Sequence, residues 1–332
     1  APIFDDQELP PDGGYFQRPL FDFFNPVALQ EQQRFTQERR NILTNYRIEF
    51  DIVDGLTVAA NYAQDRQGQE DNNVWGKFDL VEGAGQEGII ERRSFTRFNE
   101  LFEATASYNR ELIDGLDATL LVGGATQVNT EEGFDVKARQ FLFDPLETDN
   151  IGFAAIREGN QTNAGSFKNK DVLNSLFARA NFNYENTYFL STTVRSESFS
   201  GFGDDEKRGT FFAVSAGVEI TELTDLGPFD GLKFRASLGR TGNLPPDPDL
   251  ALLTFNPADN GARVDLDGDP LTRGDIFVGP QAARDPNPTL KWETQTQWNI
   301  GFDYSLFDGK VSGSIEYYER DIDDLLFNVP TS

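Results

Sequence analysis

Neither histidine nor cysteine occurs among the 332 residues. The Ser-His-Asp triad, the Cys-His pair and the usual zinc and copper sites therefore have no raw material. What remains is carboxylate and aromatic chemistry. Asp265, Asp267 and Asp269 place three carboxylates at alternate positions, which is how a calcium loop opens. Pro270 stands where an EF-hand needs Gly, and Ile276 where it needs Glu, so that loop is excluded. Two readings are left: a Ca²⁺ site of looser geometry in an external loop, and an Asp-Gly turn cluster that holds no ion. Gly201-Phe-Gly203 resembles a phosphate loop only until Asp204 and Asp205, which repel phosphate, and no Gly-Lys-Ser/Thr follows. Flat rings in loops are platforms for a glycan or a peptide, and Phe24, Trp75 and Phe255 are the first candidates, against plain loop packing for each. No carboxylate pair is fixed at the separation that glycoside hydrolysis needs. The expectation is a protein that is not an enzyme and has no resident cofactor.

Charge narrows the partners. With 55 acidic residues against 29 basic ones the net charge is -26, so nucleic acid is repelled. The chain has 30 Phe and 30 Gly, a composition that favours strands and turns over packed helices. No run of 18 apolar residues exists, which excludes a helical membrane span but leaves membrane strands open, since these are short and alternate. Ala1 is not an initiator Met and no charged-then-apolar leader precedes it, so the start is expected to be processed or internal.

The elements that must position these residues show a period of two. Tyr46, Ile48, Phe50 and Ile52 alternate with Asn45, Arg47, Glu49 and Asp51, and after Asp54-Gly55 the apolar face resumes at Leu56, Val58, Ala60 and Tyr62. A second hairpin pairs Phe102–Tyr108 with Leu116–Val122 around Asp114-Gly115, and a third runs from Leu173 to Glu197 around Glu185-Asn186. A fourth joins Phe212–Ile220 to Leu232–Leu238 near Asp230-Gly231. The fifth sets Trp292, Trp298, Ile300, Phe302 and Tyr304 against Val311, Ile315 and Tyr317 around Asp308-Gly309. Asp-Gly suits such turns because both residues tolerate positive φ. Gly123-Gly124, inside a strand, is expected to admit a close neighbour. The spacing predicts ten strands, each roughly 10 to 14 residues long.

Connections alternate: short turns near 53–55, 113–115, 185–187, 221–231 and 307–309, and longer segments at 66–92, 129–171, 199–209 and 242–289. All short turns thus fall at one end of the sheet, as in an outer-membrane barrel with short periplasmic turns and longer external loops. Charged residues opposite the apolar face then look into a wet lumen, and Arg47, Glu49, Glu293 and Asp303 are candidates for contacts there. A Greek-key sandwich alternates in the same way and stays open as an alternative.

Asn287 to Tyr318, NPTLKWETQTQWNIGFDYSLFDGKVSGSIEYY, closely resembles a segment of the late barrel in SusC/RagA-type TonB-dependent transporters, and ERDIDDLLFNVP continues it. SLFARANFNYENTYFLSTTVRSESFSGFG (175–203), FFAVSAGVEI (211–220) and LKFRASLGRTGN (232–243) are similar to its mid-barrel strands, and NPVALQEQQR (25–34) matches more loosely. The resemblance implies an all-β, transmembrane, antiparallel up-and-down β-barrel, with these ten strands part of a wall of about 22. Residues 1–332 then form part of one barrel domain, with no counterpart here of the family's plug, N-terminal accessory domain or closing strands. By the same resemblance, the function is import of a glycan or peptide across the outer membrane of a Gram-negative, Bacteroidetes-like cell. The implied partners are outer-membrane lipid, a SusD-like surface lipoprotein, TonB-ExbB-ExbD acting through the plug region, and a second copy in a dimer of transporter–lipoprotein pairs. The alternatives are a passive porin-like barrel and a soluble β-sandwich that binds carbohydrate.

Overall fold

The structure is a computed structural model that describes residues 26–79, 81–154, 163–203, 205–245, 254–257, 263–265, 276–278, 280–284 and 287–326. After a short helix, α1 (Pro26–Gln32), come β1 (Gln33–Val53), β2 (Leu56–Trp75), β3 (Ile89–Ile113) and β4 (Leu116–Arg139). A one-turn helix, α2 (Pro145–Thr148), precedes β5 (Asn163–Tyr184), β6 (Tyr188–Phe199), β7 (Arg208–Glu219) and β8 (Phe229–Asn243). Four short strands follow: β9 (Thr254–Pro257), β10 (Arg263–Asp265), β11 (Ile276–Val278) and β12 (Pro280–Arg284), before β13 (Glu293–Leu306) and β14 (Val311–Asp323).

Ten strands join in one sheet in the order β1-β2-β3-β4-β5-β6-β7-β8-β13-β14, so each pairs with its neighbour in sequence once the short strands are set aside. The ladders are antiparallel, for example Ile300 opposite Tyr317 and, on its other side, Ala236. This order overturns the sandwich alternative, which requires strands to leave one sheet for another. The apolar rows agree. Ile48 is 57% exposed and Ile300 55%, so these side chains do not meet across a dry interior.

Hydrogen bonds between successive turns place the short connections at one end. Asn109 N–H donates to Gly55 O (2.8 Å), Glu185 N–H to Gly115 O (2.7 Å), Glu219 N–H to Thr187 O (2.8 Å) and Phe307 N–H to Pro228 O (3.1 Å). Turn chemistry departs from expectation in detail. Two or more successive residues are left-handed at Glu185-Asn186 (φ 49° and 54°) and at Phe307-Asp308-Gly309 (φ 58°, 57° and 76°), whereas at Asp54-Gly55 and Asp114-Gly115 only the glycine has positive φ. Asp230-Gly231 is not a turn at all; it lies within β8, and the chain reverses earlier, through the 3₁₀ turn Ile220–Glu222 and Gly227 (φ 68°).

The first five strands are 20 to 25 residues long, not 10 to 14. They run deep into segments that the alternation had assigned to loops. The contacts divide the chain into two units, with residues 1–45, 63–100 and 129–170 in the first and 46–62, 101–128 and 171–332 in the second. Unit 1 therefore holds the ends of β1–β5 remote from the turns. Its small core is Val74, Ile90, Ala138 and Phe141, covered by Leu146, Ile151 and Ala154. Asp79, 1% exposed, organises the adjoining loop by accepting from Glu82 N–H (2.9 Å), Gly83 N–H (3.0 Å) and Gln33 Nε2 (2.8 Å). Unit 2 has its own core of Phe199, Phe202, Phe211, Leu290 and Trp292.

Candidate functional site

In unit 2, alternation sends Phe234, Ala236 and Leu238 of β8 to the apolar face and Lys233, Arg235 and Ser237 to the other. β13 is registered so that Ser237 faces Asn299 and Lys233 faces Asp303. On that polar face lies an open recess of about 650 Å³, bordered by Asn181, Ser191, Ser215, Lys233, Arg235 and Asn299, among others. Arg235 is its electrostatic hinge. The guanidinium reaches Asp303 at 3.2 Å and Glu316 at 3.1 Å, and Asn299 Nδ2 donates to the same Glu316 oxygen (3.0 Å). Lys233 lies over the Phe189 ring with its ammonium 3.6 Å from the centroid. The recess thus offers hydroxyls, amides and a cation to a polar guest.

At the other end of these strands the aromatic core pins the connection after β6 to the approach to β13. Phe202 and Trp292 rings stand 5.2 Å apart, as do Phe211 and Trp292, and Trp292 Nε1 donates to Lys207 O (3.2 Å). Glu293 accepts from Asn243 Nδ2 (2.7 Å) and Leu326 N–H (2.9 Å). Lys291, just outside β13, binds Asp324 at 2.9 Å, and that hydrogen bond holds its ammonium above the usual lysine range.

Of the ten residues singled out from sequence, the seven that the structure describes lie at several separate places. Arg47 and Glu49 pair with each other along β1 (2.7 Å), at positions alternate to the exposed Tyr46, Ile48 and Phe50. Asp303 joins Arg235, whereas Glu293 is a structural acceptor at the loop end of the same strand. Trp75 closes β2, half-buried, with Phe35 edge-on at 5.1 Å and Lys137 at 5.6 Å from the ring. Phe255 falls in β9 and Asp265 ends β10. Phe24, Asp267 and Asp269 lie outside the described residues. Among the described residues, no group of three carboxylates is placed to hold a metal ion.

Sequence reasoning missed Arg235, Lys233 and Phe189. The signal was present. Reading the polar face of β8 against Asp303 across the ladder finds the ion pair, because the apolar faces of both strands had already been assigned. The glycine pair behaved as expected: a Cβ on Gly123 would sit 2.6 Å from Phe177 Cζ, so the ring of a neighbouring strand fills that space.

A single up-and-down sheet with apolar residues exposed in rows on one face and charge on the other is the wall of a membrane β-barrel. The chain belongs to the TonB dependent receptor-like β-barrel family, whose pattern matches residues 3–332. TonB-dependent receptor P3 of Formosa agariphila is 28% identical over 328 residues, covering 96% of this chain and 31% of that receptor. TonB-dependent receptor SusC of Bacteroides thetaiotaomicron is 30% identical over 216 residues, 64% of this chain and 20% of that protein. The structure of the RagAB peptide transporter superposes with a TM-score of 0.79 over 92% of this chain and 32% of that one, at 19% identity, a likeness of fold. The chain spans about a third or less of the length of these relatives. These relatives are named as receptors and a transporter, not as enzymes.

Proposed function

We propose that this chain forms part of the wall of a SusC/RagA-type importer in the outer membrane of a Gram-negative cell, carrying a glycan or peptide inward. One observation supports this above the others. Ten sequential strands expose apolar rows on one face, keep polar groups on the other and gather their short turns at one end, which is what a lipid-embedded wall around a wet lumen requires. Arg47, Glu49 and Asp303, together with Arg235 and Lys233, then face the lumen and touch either a plug or the passing cargo, while Glu293, on the same face, holds Asn243 and Leu326. A SusD-like surface lipoprotein captures cargo outside, TonB-ExbB-ExbD energises its release through the plug region, and transporter–lipoprotein pairs assemble two by two.

The test is to fractionate cells that make the protein and to measure growth on candidate glycans and peptides with the gene deleted. Recovery in the detergent-soluble outer-membrane fraction, with uptake lost on deletion and lost again when TonB is removed, is the expected result. Recovery in the aqueous fraction refutes the reading. Uptake that continues without TonB refutes energised import and leaves a passive pore.

A further inference from the structure

The two faces of unit 1 differ in a way that membrane insertion does not require. At its far end the even-numbered face carries the buried Val74, Ile90 and Ala138, covered by the segment around α2, whereas Ile42 and Phe134 on the same face are exposed. The odd-numbered face is open apart from the buried Ile89 and Glu91. On it Phe35 and Trp75 pair edge to face at 5.1 Å, and Phe95 and Phe167 pair at 6.3 Å. Phe35 is 55% exposed and Phe167 47%. Phe167 lies across Gly133, where a Cβ would come within 2.8 Å of the ring, so a missing side chain on β4 makes room for a flat surface. Lys137 connects the two pairs, standing on β4 in the same alternation as Gly133 while reaching over Trp75.

Composition separates the faces further. At the odd-numbered positions of 33–45, 63–75, 89–99, 129–139 and 165–169 there are ten Asn or Gln; at the even-numbered positions of the same segments there are two. The charges of the odd face balance, five carboxylates against five cations, in a chain whose net charge is -26. Several pairs are closed on themselves, such as Arg97 with Glu131, and Gln37 with Asp71 at 2.9 Å. A carboxamide donates and accepts at once, as a sugar hydroxyl does, and an exposed ring covers the apolar face of a pyranose. A charge-balanced surface gives no advantage to an anionic or cationic guest. In the ten-stranded sheet β2–β5 have a neighbour on both sides and only β1 lies at an edge, so across most of this face an extended peptide finds no strand edge to join.

We infer that the odd-numbered face of unit 1 is a binding surface for uncharged oligosaccharides, with Phe35/Trp75 and Phe95/Phe167 as two stacking platforms and the carboxamides between them as hydroxyl partners. Gln69, beside Phe95, is six residues from Trp75 along β2, which puts the platforms about 20 Å apart at roughly 3.3 Å per residue. That span calls for an oligomer and not a monosaccharide. The inference rests on the import reading and narrows its cargo from glycan or peptide to neutral glycan.

The experiment uses the protein purified from outer membranes in detergent and titrated with neutral α- and β-linked gluco-, manno-, xylo- and galacto-hexasaccharides, uronic-acid hexasaccharides and mixed peptides. Binding is read by tryptophan fluorescence and calorimetry. At least one neutral hexasaccharide is expected to bind more tightly than every charged one and every peptide. Trp75→Ala or Phe167→Ala should each weaken it up to about tenfold, the upper range for one stacked ring, and the double variant by more, while Trp75→Phe keeps most of it. Unchanged circular dichroism and heat-modified mobility show that the variants fold. Failure of all neutral hexasaccharides at millimolar concentration, tighter binding of a charged glycan or peptide, or indifference to both ring deletions overturns the inference. Outer-membrane location and TonB-dependent uptake are measured separately, so the import reading stands or falls on its own.

Discussion

Ile300→Arg, set beside Ser237→Arg, distinguishes a lipid-facing surface from a wet one across a single ladder. Ile300 is the eighth of the fourteen residues of β13, on the exposed apolar face, opposite Ala236 and Tyr317. Fourteen residues at roughly 3.3 Å extend about 46 Å, and a tilt of about 40° reduces this to a height near 35 Å. That exceeds an apolar band of about 25 Å and puts Ile300 close to its midplane, where an arginine costs about 2–4 kcal/mol. At about 1.4 kcal/mol per tenfold, the ratio of folded to unfolded protein falls roughly 30- to 700-fold. Ser237 is on the opposite face and borders the recess of about 650 Å³, so its arginine keeps water and finds amides and hydroxyls; the expected cost is below about 1 kcal/mol. Urea unfolding in phosphatidylcholine vesicles, followed by tryptophan fluorescence, measures both. Equal losses, or a larger loss at Ser237, would refute the assignment of faces on which the barrel reading depends.

Three further outcomes follow from local geometry. Gly55→Ala should lower the urea midpoint well beyond Gly309→Ala. Both glycines have positive φ, worth about 1 kcal/mol or a little more, but a Cβ at 55 also collides with the Asn109 carbonyl, whereas at 309 it meets open space; equal midpoints would contradict this. Phe202→Ala removes a ring that is 2% exposed, so the aromatic core of unit 2 should lose about 3–5 kcal/mol, with faster proteolysis between residues 199 and 209 and a red shift of Trp292; an unchanged cleavage rate would count against that core. In unit 1, Asp79→Ala should speed amide exchange at Glu82 and Gly83 by about 1–3 kcal/mol per orphaned donor. Asp149→Ala breaks ion pairs to Arg34 (2.9 Å) and Arg92 (3.3 Å), but these side chains are about 40% exposed, so it should cost under about 1 kcal/mol; the reverse ranking would refute the weight given to burial.

The ten strands, their faces and the shared end of their turns were legible because alternation fixes which side chains share a face and Gly or Asn marks reversals. The turn near Asp230-Gly231 was misplaced because Asp-Gly is permissive, not obligatory: β8 extended through it once Gly227 had supplied the left-handed residue. The site was less legible. Arg235 needs two partners from β13 and β14, and no sequence pattern states a register. Phe167 and Gly133 are 34 positions apart and gain meaning only once β4 and β5 lie side by side.

The error in strand length has a physical cause that bears on function. Along β3 the even-numbered positions read Tyr108, Ala106, Ala104 and Phe102 near the turn, then Glu100, Phe98, Thr96, Ser94 and Arg92 farther on, before Ile90 goes under the covering segment. In β2 the same face changes from Leu56–Tyr62 to Gln64, Arg66, Gly68 and Glu70, and in β5 from Leu176–Tyr184 to Asn174, Val172, Lys170 and Lys168. These changes fall close to residues 62–63, 100–101 and 170–171, where contact alone divides unit 1 from unit 2. On the import reading, periodicity of grease follows the part of each strand that lipid wets, while the hydrogen-bonded ladders of β1–β5 have no reason to stop there. Beyond that line this face carries more polar residues, and at its far end, around Val74, Ile90 and Ala138, it is covered by its own chain. The carboxamides and open rings are found on the opposite face. If that boundary is real, Thr96→Arg, a substitution on the even-numbered face just past it, should cost no more than a few tenths of a kcal/mol in vesicles, against about 2–4 for Ala106→Arg a few residues inside. Matching losses would mean that lipid reaches farther than the chemistry of the face allows.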